Sequence, residues 1–471
     1  MTHSVHTRAV RMLASLYAIE AAVLLTLVGI YKARTLDWTL LFTKAGAVLI
    51  TGGIGLFASG WLLVREIRAS GSFRRRAFAL GLTTNLLTGL LAFLSLETAV
   101  RIAGRTTQQG TLVGSVAVRP TWPELTAQSR EVLARVAPRG TWDASYFIYD
   151  KELGWTVGPN RRSRDGLYFS SFEGIRSAGP NIRMADRAPR FRVALIGDSN
   201  AFSLEVPFDE TLGYHLERLL GEDVQVLNFG VDGYGIDQMY LRYERDVRPW
   251  KPEVVVIGFV WHDLLRTMAV YPFVSFGWPG YLVKPRFTIA NGALMLLNVP
   301  LPSADEILNA RGIEQLPIVD YDLGYGTTDW TLRFDHGPLI LRFLTSAFPR
   351  WPPANPRVSN EAAEALNSRL LTQIVRSVEQ DGAVPLVLFM GQSRDALLQN
   401  TLSRARVPHL MDVSECLAGI PANHRKVPSG HHYTGLANEA IARCTAPAVE
   451  LALRNARDPT RRPISSSVPR S

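Results

Sequence analysis

RVALIGDSN, residues 192–200, sets an unbroken apolar run against a glycine, an acid and a hydroxyl. An apolar run with no polar alternation reads as a strand covered on both faces, which is how the strands of parallel sheets look in sequence. From Arg192 onward such strands alternate with amphipathic helices. A helix over 209–220, starting at Asp209, carries Leu212, Leu216, Leu219 and Leu220 on one face; then follow the strand VQVLNFGV (224–231), a helix over 237–247 and the strand EVVVIGFV (253–260). The rhythm breaks at about 267–360. There, KPRFTIANGALMLLNVP (284–300) places Asn291-Gly292 between two apolar arms, a hairpin signal. It resumes with a helix over 361–380, the strands VPLVLFMG (384–391) and VPHLMDVS (407–414), and a helix over 436–454. Alternation of this kind implies an α/β fold with helices on both faces of a parallel sheet.

The first hundred residues belong to another class. Met12–Tyr31, Ala45–Val64 and Ala77–Leu96 are each about twenty residues long, enough to cross ~30 Å of hydrocarbon. Three successive stretches read as transmembrane helices of a 1–103 anchor, not as a cleaved signal peptide. Arg65, Arg68, Arg74, Arg75 and Arg76 lie between the second and third, so that loop is expected in the cytoplasm and everything beyond the third span outside it. Residues 104–145 read as a polar stalk or linker with one short helix around 122–136. Residues 146–455 form the folded domain, and the Pro-, Ser- and Arg-rich 456–471 a disordered tail.

The net charge of +9 is accounted for in part by those topology arginines, and no stretch interleaves basic and aromatic residues on one face. Nucleic acid is therefore not an expected partner. The two cysteines, Cys416 and Cys444, exclude a cysteine-rich metal site and leave open a disulfide or two buried thiols. No metal and no cofactor are expected.

Loops at the carboxyl ends of parallel strands build the ligand crevice. Ser199 follows the first strand, Gly230 and Gly233 the second, His262 and Asp263 the third, and His431 and His432 precede the last helix. A serine acts as nucleophile when a base takes its proton and N–H donors meet the developing oxyanion. These loops supply each part.

On these residues the chain resembles the SGNH, or GDSL-like, hydrolases, over about 146–454. GDSN (197–200) resembles the first block of that family, VLNFGVDGYGIDQ (226–238) the second, GFVWHDLLR (258–266) the third and HHYTGLANEAIA (431–442) the last. The earlier pieces LGWTVGPN and GIRS, together with the hairpin insert at 267–360, are similar to a branch found behind membrane spans. The resemblance implies a three-layer, flavodoxin-like parallel-sheet domain preceded by the three transmembrane helices. It implies Ser199 as nucleophile, His432 as base, and Ser199, Gly233 and His262 as oxyanion donors, with Asp198, Asp263 and Arg266 in support. Two positions depart from the pattern. His262 stands where the family has asparagine, and Ser429 and Gly430 stand where an aspartate normally precedes the base. Orientation of His432 is then left to a backbone carbonyl, as a Ser–His dyad, or to Asp412.

The expected function is a membrane-anchored serine esterase or deacylase, facing the periplasmic side of a cell membrane. Its substrate would be an acylated carbohydrate or another small ester. The alternatives are an O-acyltransferase working with an envelope or polysaccharide-export partner, and a catalytically weakened binding or assembly protein on the same fold.

Overall fold

The structure is a computed structural model that describes residues 14–15, 17–20, 22–23, 44–68, 72–107, 110–136, 146–278, 280–324, 337–347, 360–391, 395–405, 407 and 409–456. The chain divides into two compact units, Met1–Thr121 with Leu332–Ala354, and Trp122–Thr331 with Asn355–Ser471.

The first unit holds helices Lys44–Arg68 and Ser72–Ala103. Among the described residues one helix, over Leu82–Ala103, is long and apolar enough to cross a membrane, with mean hydropathy 1.6. Of the three expected spans, this helix covers part of the third. Met12–Tyr31 lies largely outside the described residues, Ala45–Val64 falls within the helix Lys44–Arg68, and the third span runs past Leu96 to Ala103. The stretch expected as a stalk holds regular structure. Short β-branched pieces make a three-stranded antiparallel meander, Gly104–Thr107, Gly110–Val113 and Val116–Val118. Helix Leu339–Ala347, from the interruption of the α/β rhythm, packs here too. Its first N–H groups need acceptors, and the Glu97 carboxylate takes those of Leu339 at 2.9 Å and Ile340 at 2.7 Å.

In the second unit we number the five strands of the central sheet: β1 Phe191–Gly197, β2 Val224–Asn228, β3 Val254–Phe259, β4 Val384–Phe389 and β5 Leu410–Asp412. All pairs are parallel, in the order 2-1-3-4-5. That is the flavodoxin-like order, whose switch point lies between β1 and β3. Alternation along β1 decides the layering. Val193 and Leu195 pack with Leu212, Leu216 and Ile441 on one face, and Ala194 and Ile196 with Met239 and Leu370 on the other.

We number six helices: α1 Ser199–Phe202, α2 Leu212–Leu220, α3 Ile236–Arg242, α4 Trp261–Arg266, α5 Asn360–Gln380 and α6 Gly435–Ala456. The start of α2 differs from expectation. Thr211, not Asp209, caps it, its hydroxyl accepting from the Tyr214 N–H at 3.1 Å, because Asp209 lies in a preceding 3-10 turn. The expected hairpin is present as Phe287–Ala290 against Ala293–Leu296, with both Asn291 (φ 51°) and Gly292 (φ 75°) left-handed, as a primed turn requires. Helix Trp122–Val136, assigned to the linker from sequence, belongs to this unit: Leu125 is buried beside Phe273 and Leu308, and Trp122 Nε1 donates to Ala310 O at 2.9 Å. The tail assigned as disordered lies outside the described residues from 457 on.

Gly197 ends β1 where the sheet is tightest. A Cβ there would sit 2.2 Å from Gly258 O and 2.5 Å from Ala201 Cβ. Relief would mean parting β1 from β3 or lifting α1. Gly197→Ala is expected to cost at least about 1–3 kcal/mol of stability, read as a lowered Tm of the full chain.

Candidate active site

Ser199 sits at the first position of α1, buried to 4% exposure. Asp198 caps that helix, its Oδ1 accepting from Asn200 N at 2.8 Å. The second loop lies against the same turn: Val231 N donates to Gly197 O at 3.0 Å, and Gly230 packs on the backbone of Ala201 and Phe202. Among the described residues, neither the Ser199 nor the Gly233 backbone N–H has a protein acceptor. Two amides in adjoining loops are thus available to an incoming oxygen.

Gly233 is needed for two structural reasons. Its φ is 74°, and a Cβ would meet Trp278 at 3.2 Å, Trp155 at 3.4 Å and Tyr281 at 3.7 Å. Two of those rings are fixed through Asp232, whose side chain accepts from the Tyr281 hydroxyl at 2.8 Å and whose carbonyl accepts from Trp155 Nε1 at 2.7 Å. Burial raises the Asp232 carboxyl above its ordinary value, against the hydrogen bond from Tyr281.

His262 stacks on Trp261, ring centroids 4.5 Å apart and 12° from parallel. Partial burial, then the Arg266 charge, push its pKa below the ordinary imidazole value, with Asp198 opposing and His431 adding to the shift. A neutral imidazole keeps one N–H to donate. Asp263 and Arg266, one turn apart on α4, pair directly, and Arg266 also stands 3.6 Å from Asp198. Asp263 further accepts from Val260 N at 2.9 Å. Burial and then the Asp198 charge raise its carboxyl well above the ordinary range, with Arg266 pulling the other way. One guanidinium therefore serves two buried acids under the serine turn.

His432 does not bond to Ser199 in this structure; the serine hydroxyl faces Asp198 Oδ2 at 3.5 Å. The other face of the imidazole is occupied. His432 Nδ1 pairs closely with Glu205 Oε2, and Ser429 Oγ donates to the same oxygen at 2.7 Å. Burial would lift the Glu205 carboxyl, but the hydrogen bonds from His432 and Ser429 outweigh it and hold it below the ordinary glutamate range. An ionised carboxylate only accepts, so Nδ1 is the donor of this pair, and Nε2 is the nitrogen left to act as a base.

Asp412, the acid expected to reach His432, caps the short helix Val413–Cys416 through Ser414 N at 2.9 Å. His431 contributes its carbonyl, which accepts from Lys426 Nζ at 3.0 Å. Cys416 and Cys444 form a disulfide that ties the segment before the histidine loop to α6. Glu205 and Asp232 were missed from sequence. Each is an ordinary loop acid whose neighbour is set by the fold. Among the described residues no group of three His, Cys, Asp or Glu side chains could hold a metal ion.

No family profile and no curated protein matches the chain. It is similar to solved structures of a psychrotrophic esterase from a Pseudoalteromonas species (9% identity), a lipase/acylhydrolase from Enterococcus faecalis (12%) and an acetyl xylan esterase from Geobacillus stearothermophilus (12%). Each likeness covers 56% of this chain and 99%, 96% and 95% of the other, respectively, at a TM-score of 0.29. The strand order makes the second unit a flavodoxin-like α/β fold.

The shared guanidinium has a pH signature. Folded Asp263 holds its proton more tightly than the unfolded chain does, so it withdraws stability as pH rises from the ordinary carboxyl value toward its raised one. Arg266 limits that loss. Arg266→Met is expected to cost about 3–5 kcal/mol at neutral pH, with the deficit shrinking as pH falls and the Asp263 carboxyl protonates; urea titrations across pH measure it.

Proposed function

We propose that the chain is a membrane-anchored serine esterase or deacylase that acts on an O-acyl ester outside the cytoplasm. The observation that carries the reading is the pair of unpaired amides, Ser199 and Gly233, in loops that abut the turn bearing a buried serine hydroxyl. In this reading Ser199 Oγ attacks the ester carbonyl carbon while its proton passes to His432 Nε2. The carbonyl oxygen, now an anion, accepts from the two amides and from the His262 N–H. Collapse expels the alcohol, which takes the proton from His432, and a water deprotonated by His432 then releases the acid from Ser199.

Two features favour an outward location. Arginines cluster on the loop between the second and third apolar stretches, and the Cys416–Cys444 bond belongs to an oxidising compartment. The apolar helix Leu82–Ala103 supplies the anchor. The substrate class is an acylated carbohydrate or small ester.

The full chain is expected to hydrolyse p-nitrophenyl acetate and to take a fluorophosphonate label. Ser199→Ala should abolish the label and lower kcat by at least about a thousandfold, whereas Ser414→Ala should keep both. A fully labelled wild type that retains the label in Ser199→Ala would overturn the assignment. Acyl groups appearing on added oligosaccharide in place of free acid would make it a transferase. For the location, maleimide in intact cells should modify neither cysteine until a reductant is added.

A further inference from the structure

The loop that follows the nucleophile helix is built at unusual expense. Ser203 (φ 59°) and Glu205 (φ 67°), neither a glycine, both adopt left-handed backbone, a conformation that persists only where surroundings impose it. The surroundings are visible. Arg176, 2% exposed, donates from Nη1 to Phe202 O at 2.6 Å and Ser203 O at 2.7 Å, and from Nη2 to Val206 O at 2.6 Å. Its guanidinium lies over the rings of Phe202 (4.3 Å) and Tyr168 (4.9 Å). The Tyr168 hydroxyl takes the Glu205 N–H at 2.9 Å. Among the described residues no acid pairs with Arg176. A buried cation is normally matched by a carboxylate, and this one is spent on three carbonyls that flank a single acid.

That acid is the one on His432. Its carboxylate reaches back across the nucleophile turn to Nδ1, and Ser429, from the position where the resembled family carries its own acid, braces it as a donor. We propose that Glu205 is the residue that orients His432, replacing the missing aspartate from the nucleophile's own loop, and that Arg176 is a positioning residue that holds Glu205 in place. This rests on the reading of Ser199 and His432 as an ester-cleaving pair. The chain order is then Ser199, Glu205, His432, with the acid arriving from the serine side of the site.

The test uses the full chain, p-nitrophenyl acetate and fluorophosphonate. Glu205→Gln should lower kcat by about a hundredfold or more with KM within about threefold of wild type, because orientation and tautomer of the base are lost while substrate contacts remain. Glu205→Asp should restore part of the rate. Arg176→Lys keeps the charge and loses the fork; it should lower kcat with KM again unchanged, and the double variant Arg176→Lys/Glu205→Gln should be no slower than Glu205→Gln alone. Tyr168→Phe, which removes one bond to the same loop, gives a second route to that comparison should Arg176→Lys not fold. A Glu205→Gln enzyme within about threefold of wild type, or losses that multiply in the double variant, would overturn the proposal. Undiminished turnover by Ser199→Ala would instead remove the underlying esterase reading.

Discussion

Burial of both faces of β1 is the constraint on which the rest depends. Val193 and Leu195 belong to one core and Ala194 and Ile196 to the other, so the strand can shift neither sideways nor in register without exposing one set or the other. A strand held this way delivers its last residues to a fixed point. Gly197 then allows β3 and α1 to close on that point, which leaves Ser199 at the start of a helix. The neighbouring loop is brought against it by a backbone bond from Val231 to Gly197, not by side-chain chemistry.

Charge in the interior is used in three ways. Lys284 and Asp237 form a closed pair that fastens the segment before the hairpin to the start of α3. Arg266 is shared between Asp198 and Asp263 and stiffens the ground beneath the serine turn. Arg176, with no carboxylate partner among the described residues, donates to three backbone carbonyls and lies over two aromatic rings. A well-packed apolar residue serves stability as well as many buried ion pairs do. What the second and third arrangements add is direction, since hydrogen bonds restrict angle where apolar contact does not.

Local periodicity made the sheet legible: unbroken β-branched runs separated by amphipathic helices allow little else, and Asn291-Gly292 announced its own turn. The loops that carry Ser199, Gly233, His262 and His432 followed from strand ends. What stayed hidden depends on neighbours far apart in the chain. Asp412 looked available because acids ending strands are common, yet its lone pairs go to the next helix's first turn. Glu205 looked ordinary because nothing in SLEVPF marks a left-handed backbone; only the carbonyls gathered around Arg176 reveal it. Residues 339–347 fell within the insert counted with the α/β domain, and the fold places them elsewhere, where Glu97 caps their helix.

That helix has a practical side. Because Leu332–Ala354 folds with the first unit, the chain passes between units three times, and the α/β body is discontinuous in sequence. A secreted version made by simply trimming off everything before Trp122 would strand a helix whose leading amides have lost Glu97 and whose apolar residues have lost their packing. A workable soluble form of the α/β body would have to lose that excursion as well.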